Sequence, residues 1–132
     1  MQPAGGPDGL PLDPARPFGA WLDGKAIQRT ARVVAKGLVV SCRSEVAVWC
    51  ALTATIARRD AKRLKLGRKD VRVASTAVPV AEGASATARL KLSAKVRRAL
   101  RGKGGVRVLV RAVARTADGR EVALSRVVLL RR

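Results

Sequence analysis

The chain has 132 residues, 48% of them apolar, and carries 28 Lys and Arg against 9 Asp and Glu, a formal net charge of +19. That is enough chain and enough apolar content to bury one core without a metal or a disulfide, which excludes a disordered polycation. There is no His and no Tyr, which removes the usual general base and the commonest metal ligand, and no apolar run approaches the roughly 20 residues of a membrane-spanning helix.

Residues 1–25 hold five of the six prolines, with Asp8, Asp13 and Asp23 against Arg16 and Lys25. They read as a flexible proline- and glycine-rich arm or linker, with Phe18 and Trp21 as the groups able to tack it down. No basic stretch followed by an apolar one is visible there, so no signal peptide is expected; the protein is then cytoplasmic, or Met1 is not its natural start. The domain is expected over residues 26–132, which carry a net +20.

From Ala26 onward apolar and polar residues alternate, the period of strands with one buried face. Leu38, Val40 and Cys42 share a face, as do Val46, Val48, Cys50, Leu52, Ala54 and Ile56. Val71 and Val73 alternate with Arg72, and Val78 and Val80 flank Pro79, which suits an edge or a strand end because proline donates no ladder hydrogen bond. Ala88, Leu90 and Leu92 point inward against Arg89 and Lys91. Val106, Val108 and Val110 oppose Arg107, Arg111 and Arg115, and Asp118-Gly119 is a hairpin turn leading to the last strand.

Two stretches break the alternation. In "ARRDAKRLKLG", Ala57, Ala61 and Leu64 have helical spacing and Gly67 can end the turn; in "SAKVRRALRGKGG", Ser93 is a good N-cap and Val96 and Leu100 share a face. Both are too short to cover a sheet, so they predict short crossovers. About seven strands with two short helical crossovers predict an all-β, antiparallel sandwich of immunoglobulin-like size.

The two cysteines admit two readings. If Arg43–Glu45 is a tight turn, Cys42 faces Val46 and Cys50 lies four residues further along the return strand. At about 3.3 Å per residue that is on the order of 13 Å, beyond the roughly 7 Å Cα limit of a disulfide, and the pair are buried free thiols. If residues 43–49 bulge as a loop, Cys42 and Cys50 can bond. Without His the pair supplies neither a zinc site nor an activated nucleophile.

Two basic clusters, Arg58, Arg59, Lys62 and Arg63, then Arg97, Arg98 and Arg101, read as a polyanion patch or as solvated faces of crossovers anchored by their apolar residues. Outward strand cations such as Arg72, Arg89, Lys91, Arg107 and Arg111 add to both clusters, which predicts a diffuse basic surface; an Arg-rich composition gives the same surface without any partner. Trp49 is the one aromatic residue after position 25, too little for stacking along a single strand. "GKGG" at 102–105 lacks the spacing of a phosphate loop, and Asp60, Asp70, Asp118 and Glu121 form no periodic carboxylate pair.

"KGLVVSCRSEVAVWCALTATI", "ARRDAKRLKLG" and "ARLKLSAKVRRALRGKGGVRVLVRAVARTADGREVALSRVVLL", in this order, resemble an immunoglobulin-like or fibronectin-III-like domain that recurs in secreted and surface proteins of GC-rich actinobacteria. The resemblance covers about residues 26–132. It implies a monomeric, non-catalytic spacer or adhesive module of an exported protein, with no cofactor. Its partners would be anionic polymers or other domains of the same protein. In that family a second Cys often follows the first after a short turn; here the slot four residues after Cys42 is Val46. The alternative is a basic polyanion- or nucleic-acid-binding protein of the cytoplasm.

Overall fold

The computed structural model describes residues 17–132. In chain order they form β1 (Ala20–Asp23), β2 (Ile27–Arg29), α1 (Thr30–Lys36), β3 (Leu38–Ser44), β4 (Val48–Ile56), α2 (Arg58–Arg63), β5 (Val71–Val80), β6 (Ser85–Leu90), α3 (Ala94–Leu100), β7 (Val106–Arg115) and β8 (Glu121–Arg131). The strands make two sheets, ordered β1-β3-β6 and β2-β8-β7-β4-β5, which close on one core as a β-sandwich. The alternation places that core: every second residue of β3, β4 and β7 is buried. Val40, Cys42, Cys50, Ala54, Ile56, Val110 and Val128 have no exposed surface.

Four expectations need correction. First, there are eight strands and three helices among the described residues. Residues 71–80 are one edge strand rather than two segments, with Pro79 on that edge as expected. The additions are β1, β2 and α1, all too short to show a period. Second, the sheets are not wholly antiparallel: β2 runs parallel to β8, with Ile27 opposite Leu129 and Arg29 opposite Arg131.

Third, the domain takes in residues expected to be arm. Trp21 and Leu22 of β1 pair with Arg43 and Cys42 of β3, and Phe18, Ala20 and Leu22 are buried. The Arg43 guanidinium lies 4.4 Å from the centre of the Trp21 ring. The Glu45 carboxylate accepts the Gly19 N–H at 3.2 Å beside this strand. The arm expected over residues 1–25 otherwise lies outside the described residues.

Fourth, β3 and β4 are not a hairpin. They belong to opposite sheets, and residues 45–47 form an arch from one sheet to the other. Ser44 sets this corner. Its backbone bonds to Ala84 (3.3 Å) and Gly83 (2.9 Å) beside the β3–β6 ladder, and its hydroxyl donates to the Val46 carbonyl at 2.7 Å. Those bonds leave no group free for a turn that would fold β4 back onto β3.

The two expected helices form where expected. The Ser93 hydroxyl accepts the Val96 N–H at 3.3 Å, and Val96 and Leu100 are buried. In α2, Ala61 and Leu64 are buried, but the turn ends at Lys65, with φ 59°, rather than at Gly67. The helix α3 crosses from β6 in one sheet to β7 in the other, whereas α2 joins neighbouring strands of the same sheet. The unforeseen α1 crosses back from β2 to β3, and Gly37 ends it at φ 97°, where a Cβ would meet the Leu90 carbonyl at 2.9 Å.

Candidate functional site

The register puts all three helices at one end of the sandwich. Ile56 ends β4 beside Val71 and Val108, Val106 starts β7 beside Leu130, and Leu38 starts β3 beside Leu90. The connections at this end, residues 29–37, 57–70 and 91–105, together with Arg131 and Arg132, hold eighteen Lys and Arg against Asp60 and Asp70. The arches and turns of the other end, residues 45–47, 81–84 and 116–120, hold Glu45, Glu82 and Asp118 against Arg120. The two ends are therefore unequal in charge, while the outward strand cations Arg72, Arg89, Arg107 and Arg111 are exposed as expected. Topology is the cause of the inequality, since it gathers three basic connections that are far apart in sequence.

Both acids at the helical end have structural partners. Asp70 accepts the Arg58 N–H at 2.7 Å and so caps α2 from outside it; Asp60 accepts the Arg107 N–H at 3.1 Å and pairs with Arg63 at 3.3 Å. Of the residues singled out from sequence, Arg63 is tied down, since its guanidinium also donates to the Gly104 and Gly105 carbonyls at 3.4 Å. Arg58, Arg59, Lys62, Arg97, Arg98 and Arg101 are exposed and form no ion pair among the described residues. Arg97 lines a groove of about 460 Å³ between α1 and the β6–α3 segment, with Lys36, Arg89 and Lys91. "GKGG" is a turn, with Gly102 and Gly105 at positive φ.

A larger cleft of about 830 Å³ lies at the β2 edge and was not foreseen. Lys25, Arg29, Arg32, Arg131 and Arg132 line it, with no Asp or Glu. Nothing local in the sequence joins Lys25, Arg29 and Arg32 to Arg131 and Arg132; the parallel pairing of β2 with β8 brings the two groups together across about a hundred residues.

Cys42 and Cys50 face each other across the two sheets, each without exposed surface. Both are free thiols here, within hydrogen-bond reach of one another. The arch is the reason: they sit at matched distances before and after it, so the 13 Å separation that a hairpin implies does not arise. Their strand neighbours Ala86 and Ala114 are small, which lets the sheets approach at this level. The hydrogen bond to Cys42, then burial, push the Cys50 thiol well above its ordinary range, while the same bond holds the Cys42 thiol below its own; burial shields both from reagents in solution.

Trp49 is 55% exposed on the outer face of the five-stranded sheet. It is the second residue of β4, at the end away from the helices. No group of three or more metal-ligating side chains occurs among the described residues. No helix there is long and apolar enough to cross a membrane. In comparisons with known proteins, no family model matches the chain and no curated protein matches it.

Proposed function

We propose that this chain is a non-catalytic, immunoglobulin-like β-sandwich module of an exported or surface protein, and that it docks on an anionic polymer through its helix-bearing end. The observation that carries this reading is the charge polarity: eighteen cations against two occupied carboxylates at one end of the sandwich. A basic surface that reflected composition alone would load both ends alike, whereas a docking surface concentrates its charge where it meets the polymer. The facing pair Cys42 and Cys50 suits an oxidising compartment, where the two thiols would close as a disulfide joining the sheets.

The test is retention on immobilised linear polyphosphate at about 0.15 M salt. Neutralising Arg97, Arg98 and Arg101 together should cost more of the retention than neutralising Arg43, Arg115 and Arg120. Equal losses from the two triple variants would leave only a generally basic protein. Duplex DNA serves as the competitor. A polymer-specific module yields to polyphosphate at lower charge concentration than to DNA, and the reverse order would favour nucleic-acid binding.

A further inference from the structure

We propose that the cleft between β2, α1 and the end of β8 is a binding site for successive phosphate groups of a flexible, base-free anionic chain. This rests on the polymer-docking reading and names the part of the basic end that does the gripping.

Three observations converge on this cleft. Its charge is one-sided, with five cations, no carboxylate in its lining, and no ion pair for any of the five among the described residues. Its arrangement works against folding. Arg29 and Arg131 are direct neighbours on the parallel β2–β8 ladder, where like charges repel. Arg29 and Arg32 sit at the start of α1, which has no acid in its first turn, so they oppose the helix dipole as well as each other. Repulsion of this kind has no use in the folded protein alone, and a bound anion relieves all of it at once.

The cleft is also built rather than incidental. The Gln28 amide stitches the two sheets together behind it, donating to the Val39 carbonyl at 2.8 Å and the Lys25 carbonyl at 3.2 Å and accepting the Val39 N–H at 3.3 Å. Arg126 donates to the carbonyl of Gly24, another lining residue, which places a sixth positive charge behind the wall.

The lining selects among anions. Four of its five cations are arginines, whose planar forks match phosphate oxygens two at a time. Its apolar members are aliphatic, Ile27 and Val39, and no aromatic ring lines it, so it offers no surface on which bases stack. A volume of about 830 Å³ is large for one phosphate and lies within the span of about 300–1,000 Å³ typical of ligand sites. A trough of that size takes several linked phosphates.

The probe is a fluorescent linear polyphosphate of about ten phosphates, followed by anisotropy at about 0.15 M salt. Two variants remove the same charge: Arg29→Ser with Arg131→Ser in the cleft, and Arg58→Ser with Arg59→Ser on α2. The cleft variant is expected to weaken binding about tenfold or more and the α2 variant no more than about threefold. Thermal unfolding controls for folding, and the cleft variant should melt no lower than wild type because it removes a like-charge contact. Equal losses from the two variants would overturn the cleft while leaving docking by the basic end intact. Tighter binding of single-stranded DNA of equal charge would overturn the base-free class. Failure of the wild type to bind either probe would overturn the cleft and the docking reading together.

Discussion

Cys42 and Cys50 show how far alternation reaches and where it stops. Period two places both side chains in the core, and both are there. Which partner each meets depends on the corner at Ser44, fixed by bonds to Gly83 and Ala84, about forty residues away in sequence. In the reduced, folded protein neither thiol should react with a water-soluble maleimide at neutral pH, and both should react after unfolding. Because the fold raises the Cys50 pKa, its contribution to stability is complete below pH 9.0, the ordinary value for the thiol, and is lost as pH rises above it. The unfolded chain then releases a proton that the folded chain keeps, at about 1.4 kcal/mol per pH unit. The bond between the two thiols lowers the Cys42 pKa, so above pH 9.0 the folded pair keeps one proton while the unfolded chain loses two. Urea unfolding of the reduced protein between about pH 9 and 10 should therefore fall more steeply than that of the thiol-free Cys42→Ala, Cys50→Ala variant; parallel curves would show that the folded pair keeps no extra proton. Oxidised protein should be two hydrogens lighter, and closure of so short a loop should add about 2–3 kcal/mol that a reductant removes.

At the scale of elements, the long strands and the helices α2 and α3 were legible because each carries its own apolar spacing. In α3 the signal is complete, with Ser93 as cap and Val96 and Leu100 on the buried face. Leu100→Ala is expected to cost about 2–5 kcal/mol, and Arg97→Ala, on the exposed side, less than about 0.5 kcal/mol. Equal costs in denaturant unfolding would mean that the faces are assigned wrongly. By contrast α1 carries almost no local signal: no side chain caps it and its first turn has no acid. A Thr, Ala, Arg, Val, Val run is as good a strand as a helix. It is helical because the chain must leave the five-stranded sheet after β2 and enter the other at β3, burying Thr30 and Val33 on the way. The strand β1 was hidden for a similar reason, being four residues inside a proline-rich context. Its anchor is open to test: Phe18 is 3% exposed, so Phe18→Ala should cost about 3–5 kcal/mol. A cost near zero would restore the domain boundary that composition suggested.

For the whole molecule, net charge was legible but its placement was not, because strand order decides which connections share an end. The consequence for stability follows from Coulomb's law. Eighteen cations gathered at one end by folding repel one another more than they do along an unfolded chain, and net charge of one sign destabilises the compact state. Sodium chloride raised from about 0.02 to 0.5 M shortens the screening length from roughly 20 Å to about 4 Å. In the absence of any polymer, wild type should therefore gain stability over this range. The variant Arg58→Gln, Arg59→Gln, Lys62→Gln should start higher at low salt and gain less, since it removes three of the repelling charges and none of the ion pairs. The variant Arg115→Gln, Arg120→Gln should behave oppositely. At that end the two arginines pair with Glu121 and Asp118, so their loss removes attraction and should leave the low-salt stability no higher than wild type. A polyanion at fixed ionic strength should then raise the melting temperature of wild type by binding only the folded state, and raise that of the α2 variant less. If the two variants respond alike to salt and to polymer, charge placement has no energetic consequence and the polarity is composition alone.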